Sequence, residues 1–506
     1  MTETTPLISH GLENVSRVED RRKTFLIITS VTLATGTISM VNGIVTVSLP
    51  TLATDLELGS DLLFWPASIS ALACGSTLLL FGSMADAVGA RQMYIAGIIL
   101  QTIFILGCGQ SKNAWEMIFF RGLSGLSASC CLPSAVSIIT GSFTDQRRDV
   151  AFACMGGGQP AGFVVGLVLG GIATNAVSWR VGFYISAAVT AITLPLTILG
   201  LATPYISLSW SHWWKRITEG IDWIGGIVSS TSLALLSHVL ISITSDISRI
   251  RSSLTITLLS ISAALMPIFV LWVGRRERLN KAALIPNSLW NNRVFTVVCI
   301  TVFLSSGSVE SLETILTFYF QDVQKHNALQ SAFRFLPAAF VGILANVAVA
   351  YLVHRVSGNI IVVVSLLITS FASVVMAFAT PISSYWTSAF IANLLNPVGV
   401  DALFTVENLL ITSIFPTKTH GLAGGVFNTV SQIGKSVGLA LVAVIATNVT
   451  LASDMDDKAS PQALMAGYRA ASWFCFSLIA ATLVVAAWGL RGVGNVGHKQ
   501  ESNSLQ

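Results

Sequence analysis

Apolar stretches of membrane-crossing length recur along this chain, each closed by a short polar or charged turn. A helix crosses the hydrocarbon core in about 20 mostly apolar residues. Fourteen stretches meet that length, at about 25–50, 63–83, 92–110, 114–139, 150–174, 181–202, 221–243, 253–273, 294–320, 331–353, 359–379, 384–414, 421–449 and 468–491. Spans one, nine, twelve and thirteen exceed the minimum, as tilted helices or helices extended into the interface do.

Composition decides what those stretches are. The 506 residues are 53% hydrophobic and 10% charged, with a mean hydropathy of +0.74. Soluble domains carry roughly 25% charged residues, so this chain has too few to wet several ordinary domains. An all-α integral membrane protein is expected, with the lipid bilayer as its solvent. The net charge of +4 contains no basic stripe, which excludes a nucleic-acid partner. Seven cysteines (Cys74, Cys108, Cys130, Cys131, Cys154, Cys299 and Cys475) all fall inside apolar runs. Their odd number and their lack of metal-ligand spacing make them packing residues, so neither a metal nor another cofactor is expected.

Charge sets the orientation. With the N-terminus in the cytoplasm, 18 of the 28 Lys and Arg fall in cytoplasmic segments and seven outside. The remaining three, Arg121, Arg334 and Lys435, lie in or at the edge of spans. That excess has the sign of the positive-inside rule, and all twelve tryptophans lie near span ends, as interfacial indoles do. The segment before the first span lacks the apolar core and cleavage site of a signal peptide, so that span is the expected insertion signal. Glu3 to Ile8 fits an acidic dileucine sorting pattern. The plasma membrane is the expected location, with a vacuolar or endosomal membrane as the alternative. The loop Pro204 to Gly220 is expected along the inner interface. Asn448-Val449-Thr450 is the one outward glycosylation sequon, close to the membrane.

Between spans two and three sits Gly82-Ser83-Met84-Ala85-Asp86-Ala87-Val88-Gly89-Ala90-Arg91, a tight turn with one acid, one base and two glycines. It resembles the signature loop of the major facilitator superfamily. Arg121-Gly122-Leu123-Ser124-Gly125 resembles that family's fourth-span arginine motif. Gly158, Gly162, Gly166, Gly170 and Gly171 resemble its fifth-span antiporter motif, followed by Ser178-Trp179-Arg180 as in drug exporters. Ile44 to Pro50 resembles the end of the first span in fourteen-span drug:proton antiporters, and Ile221-Asp222-Trp223 opens span seven as in that branch's fungal efflux pumps.

The resemblance implies two six-helix bundles with an extra helix pair inserted between them. The segments would be a tail 1–24, a first bundle 25–202, a linker 203–220, the inserted pair 221–273, a linker 274–293, a second bundle 294–491 and a tail 492–506. Val353 to Gly358, between spans ten and eleven, is a weak internal echo of the first-half loop. Three positions depart from the branch. Val41, with Asn42 beside it, stands where span one usually carries an acid. Leu167 stands in place of a proline, and Ala87 and Ala90 in place of basic residues. These departures bear on the coupling ion more than on the fold.

The glycines at 158, 162, 166 and 170 recur every fourth residue and form one stripe, suited to close helix packing or to a sliding surface between the halves. Gly82, Asp86, Gly89 and Arg91 form the candidate gating loop, with Asp86 facing the start of span thirteen near His420-Gly421 and Arg91 facing Asp145 or Asp149. Ionisable residues at membrane depth are functional candidates, and here they are Arg121, Glu310, Glu313, Asp401, Glu407 and Lys435. Asp401 and Lys435 match in depth on consecutive antiparallel spans, so an ion pair between them is expected, with Asn408 on the Asp401 face. Glu310 and Glu313, one turn apart, form an outer carboxylate pair. By resemblance Arg121 poises a nearby proton site.

These residues point to a secondary transporter exporting small amphipathic organics by proton antiport, acting as a monomer on a small-molecule substrate and protons. An importer or facilitator of a specific solute is the alternative. A membrane enzyme finds no catalytic cluster here, and a non-transporting nutrient sensor usually carries long cytoplasmic extensions.

Overall fold

The computed structural model describes residues 6–58, 62, 65–143, 145–201, 218, 221–245, 247–279, 281, 284–285, 287–353, 355–414 and 420–491. The start of the sorting pattern, nearly all of the loop 204–220, the tail 492–506 and the side chains of Asp145 and Asn408 lie outside that description.

Fourteen helices among the described residues are long and apolar enough to cross a membrane. They are α1 (Pro6–Asp55), α2 (Trp65–Val88), α3 (Ala90–Gln110), α4 (Ala114–Ser142), α5 (Asp145–Ala176), α6 (Trp179–Gly200) and α7 (Trp223–Ser245). The others are α8 (Ser253–Arg278), α9 (Arg293–Phe318), α10 (Ala328–Leu352), α11 (Gly358–Phe378), α12 (Ala389–Ile414), α13 (His420–Ala452) and α14 (Pro461–Gly489). Helices are what lipid permits, since each satisfies its own backbone groups. Below, the inner end of the bundle is the one carrying the Lys and Arg excess.

The ends of these helices are written locally. Asn113 caps α4 by accepting from the Glu116 amide at 2.9 Å, and Asn327 with Gln330 forms a capping box on α10. Between α2 and α3 the chain turns on one residue, Gly89, whose φ of +117° suits only glycine. Pro397 interrupts α12, and the hydroxyl of Thr369 on α11 mends the break. It donates toward the Leu395 carbonyl at 3.1 Å and accepts from the Gly399 amide at 2.7 Å.

The two six-helix bundles repeat one packing device. Gly158, Gly162, Gly166 and Gly170 of α5 lie against Thr32, Gly36, Met40 and Ile44 of α1, so close that an added Cβ would meet backbone at each. In the second bundle Gly434 and Gly438 of α13 lie in the same way against Phe303 and Gly307 of α9. The glycine stripe therefore packs α5 inside its own half. It is not a sliding surface between halves; of the five glycines of the motif, Gly171 is the one whose nearest neighbours lie across the seam, at Leu329 of α10.

The halves meet along α5 and α10, and along α2 and α13. The inserted pair covers the second seam: α7 packs on both α2 and α13, while α8 is held to α7. Ser232 and Ser262 exchange hydroxyl-to-carbonyl hydrogen bonds of 2.9 and 2.8 Å between α7 and α8. At the inner end one apolar cluster joins both halves, running from Val31, Val136 and Phe152 in the first to Val302, Leu410 and Phe427 in the second. At the outer end the cores separate. Trp179, Phe183 and Ile44 belong to the first half, and Phe320, Met376 and Tyr468 to the second, which receives Val47, Leu167 and the half-buried Phe163 from the first. The bundle is thus sealed by apolar contact at its inner end.

Candidate functional site

Lys435 Nζ lies 3.0 Å from Glu310 Oε2, joining α13 to α9. The glycines build this contact: Gly434 and Gly438 bring α13 onto the α9 backbone, and Lys435 between them reaches the carboxylate one turn above Ser306. One turn deeper Ser306 and Ser431 are hydrogen-bonded at 2.8 Å, so the ion pair rests on a second polar rung. Both charged side chains keep about two-fifths of their exposure (38% and 41%), so protein does not fully enclose them. Their positions along α9 and α13 put them about 22–26 Å from the inner helix ends.

Glu313 and Asp401 complete the cluster. Glu313 sits within electrostatic range of Glu310, Lys435 and Asp401. Asp401, past the Pro397 break in α12, turns toward the seam between the halves. A Cβ at Gly342 of α10 would stand 2.6 Å from Asp401 Oδ2 and 3.3 Å from Pro160 of α5, so the absent side chain makes room for the carboxylate there. That Oδ2 has no hydrogen-bond partner among the described residues.

The expected Lys435–Asp401 ion pair is corrected by this arrangement. Helices α12 and α13 are consecutive in sequence but touch only sparsely, whereas α13 lies along α9. Glu310 takes the lysine, and the outer carboxylate pair and the half-buried lysine merge with Asp401 into a single site of three acids and one base.

One turn below Asp401, Asn346 of α10 is buried, with both its amide nitrogen and its amide oxygen hydrogen-bonded. It donates to the Gly342 carbonyl at 2.9 Å and accepts from the Thr405 hydroxyl at 2.7 Å, beside Gly156 of α5. Sequence reasoning passes over Asn346, since a single amide in an apolar run carries no periodic signal. It also passes over Gly434 and Gly438, although their small-xxx-small spacing is legible.

Glu407 stands apart. It is fully buried on the α9-facing side of α12, with Oε1 2.5 Å from the Thr301 hydroxyl and Oε2 unpartnered among the described residues.

Arg121 is 1% exposed and donates from Nε to the Pro66 carbonyl and from Nη2 to Asn42 Oδ1, both at 2.8 Å. Where span one of the resembling branch carries an acid, this chain offers Arg121 a neutral amide. Gln101 and Ser127 form a further buried hydrogen bond nearby on α3 and α4.

In the loop, Gly82 is buried, Asp86 is exposed and Arg91 Nε is buried without a hydrogen-bond partner among the described residues. Asp149, one of the two acids expected opposite Arg91, lies 4.0 Å from Arg148 Nε. The first side chains of α13, opposite which Asp86 was expected, lie outside the description. At the outer end of the first half, Asp55 accepts from Trp179 Nε1 at 2.9 Å and lies 3.7 Å from Arg180, whose guanidinium stacks over Trp179 at 4.2 Å. This gives Ser178-Trp179-Arg180 a structural task, tying α6 to α1. Asn448 lies within α13 and donates to its own helix at Val444, so the sequon is helical rather than looped.

Comparison with known proteins agrees with this geometry. The family model of the Major Facilitator Superfamily matches residues 31–439. "MFS-type transporter 1" of Pyricularia oryzae is 38% identical over 505 residues, covering 91% of this chain and 82% of that protein. The major facilitator superfamily multidrug transporter mfsC of Aspergillus fumigatus is 27% identical over 453 residues, covering 87% and 83%. The crystal structure of the human organic anion transporter MFSD10 (TETRAN) shares the fold with a TM-score of 0.58 at 14% identity, covering 92% of this chain and 99% of that one. With a family match over most of its length and a relative this similar across most of both proteins, the chain belongs to the Major Facilitator Superfamily, as a multi-pass membrane transporter.

Proposed function

We propose that the chain exports small amphipathic organic molecules, whether drugs, toxins or a secondary metabolite, in exchange for protons. The observation carrying this reading is the Lys435–Glu310 ion pair, only partly enclosed by protein, with Glu313 and Asp401 beside it part-way across the bilayer. A charge at that depth costs about 2.5–3.5 kcal/mol on insertion scales, so four together need a use. Three carboxylates competing for one ammonium form a site in which a proton substitutes for the lysine, and the exchange changes the contacts between α9 and α13. Asp401 at the α5–α10 seam carries that change to the interface between halves.

The sealed inner end and separate outer cores suit the outward-facing half of an alternating-access cycle. Resemblance to named multidrug carriers supports export. An apolar, aromatic cavity, as a chain with 26 phenylalanines is expected to build, would suit amphipathic organics better than sugars or ions. A charge cluster held within the second bundle of one chain, with Asp401 at the seam to the first, favours a functional monomer, and the plasma membrane is the proposed location.

The test is efflux of rhodamine 6G from cells expressing the chain, with and without a protonophore. Efflux that collapses with the protonophore, and falls at least tenfold in Glu310→Gln at equal surface expression, is the expected result. Efflux indifferent to the protonophore selects the second reading, a facilitator without antiport, which the neutral Asn42 beside Arg121 favours.

A further inference from the structure

Glu407, 0% exposed in the middle of a membrane helix, is a buried acid that the proposed cycle leaves without a task. Its surroundings are specific. From α9 it faces Thr301 and Cys299, and no cation or second acid shares its environment among the described residues. Val298 and Val302 flank Thr301, and Leu403, Val406 and Leu410 flank Glu407; all belong to the apolar cluster that seals the inner end.

The hydrogen accounting around Thr301 is informative. Its hydroxyl oxygen lies 2.9 Å from both the Val297 and Val298 carbonyls and 2.5 Å from Glu407 Oε1. The hydroxyl has one hydrogen to give, and the carbonyls have none. With a neutral Glu407, the carboxyl donates to Thr301 and Thr301 donates to its own helix, which leaves only the uncharged carbonyl Oε2 without a partner among the described residues. With an ionised Glu407, the Thr301 hydrogen turns to the carboxylate and the second oxygen stays bare inside an apolar cluster, which is costly. The pair therefore accommodates both protonation states, but the charged one suits only an inner end opened to water.

Glu407 also lies on the inward side of the charge cluster. Thr301 is nine residues inward of Glu310 on α9, about 14 Å along the axis. Buried hydroxyls stand between them at Ser305, Ser306 and Ser308, with Ser306 bonded to Ser431 directly beneath the Lys435–Glu310 bridge.

We infer that Glu407 is the inner proton station of the transport cycle. It receives the proton that the Glu310–Glu313–Asp401 cluster takes up from the outer side, holds it on its carboxyl oxygen against Thr301 while the inner seal is closed, and passes it to inner water when the seal opens. This inference rests on the proton-coupled reading above.

The test uses the full-length protein in proteoliposomes with rhodamine 6G as the probe, comparing wild type with Glu407→Gln in two modes. One is transport driven by an imposed pH gradient, which needs the proton released. The other is dye-for-dye counterflow at equal pH, which does not. The expected result is at least a tenfold loss of gradient-driven transport in Glu407→Gln with counterflow within about twofold of wild type. Gradient-driven transport at the wild-type rate would overturn the inference, as would equal loss of both modes in a monodisperse protein. Should Glu407→Gln aggregate, Thr301→Val becomes the reporter, and an unchanged gradient-driven rate there overturns the inference equally. A wild type indifferent to the gradient would instead strike at proton coupling itself, so the two failures are distinguishable.

Discussion

Alanine at Gly162 tests how the first bundle is assembled. Its Cβ would stand 2.7 Å from both the carbonyl carbon and the Cα of Gly36, where ordinary contact begins at 3.4 Å. Helix α5 must therefore retreat from α1 by about 0.7 Å or more, and the atoms in the way are backbone, which cannot rotate aside. Overpacking of this kind costs about 1–3 kcal/mol. Replacing a mid-helix glycine returns about 0.5–1 kcal/mol. The net expectation is a loss of about 1–2 kcal/mol. Gly166→Ala should behave alike against Met40, and the double variant should lose less than the sum, because the first methyl already opens the gap for the second. Gly141 near the end of α4 is the control: nothing lies within 4 Å of an added Cβ, so alanine there should gain stability. Thermal unfolding of the detergent-purified protein, followed by tryptophan fluorescence, reads all four. A Gly162→Ala variant that melts at or above wild type, or a Gly141→Ala variant that loses as much, would refute the packing argument.

Other predictions bear on the turn and the charged residues. Lys435→Met should lower both yield and dye export, because it strands Glu310; Lys435→Met with Glu310→Leu should recover yield in size-exclusion profiles but not protonophore-sensitive export. Alanine at Gly89 forces a side chain into a φ of +117° and should cost about 1–2 kcal/mol, seen as a lowered melting temperature. Arg121→Lys should reduce export severalfold at normal expression, since an ammonium on a flexible stem does not reproduce the guanidinium fork that meets Pro66 and Asn42 together; wild-type export in that variant would show that charge alone suffices.

Much of this architecture is legible in one dimension. The fourteen apolar lengths, the charge asymmetry between their ends and the glycine of the second turn are each local, because lipid demands a self-satisfied helix of fixed length wherever the chain crosses it. The glycine stripe on α5 is also visible as a close-packing face. What the stripe does not reveal is the helix it meets: the partner is α1, four positions earlier in span order, rather than a helix of the other half.

The charged site shows the same division. Which residues are ionisable at membrane depth is a property of sequence, and all of them stand where the apolar runs put them. Their partners depend on the order and rotation of helices around the bundle. Depth matching pairs Lys435 with Asp401 on the next helix along the chain, yet the bundle sets α13 against α9, gives the lysine to Glu310 and turns Asp401 to the seam at Gly342 and Pro160. Glu407 is separated from Asp401 by six residues on one helix and faces a different neighbour altogether. Burial in lipid is decided along the chain, residue by residue; pairing is decided across it, by which backbones the small residues allow to touch.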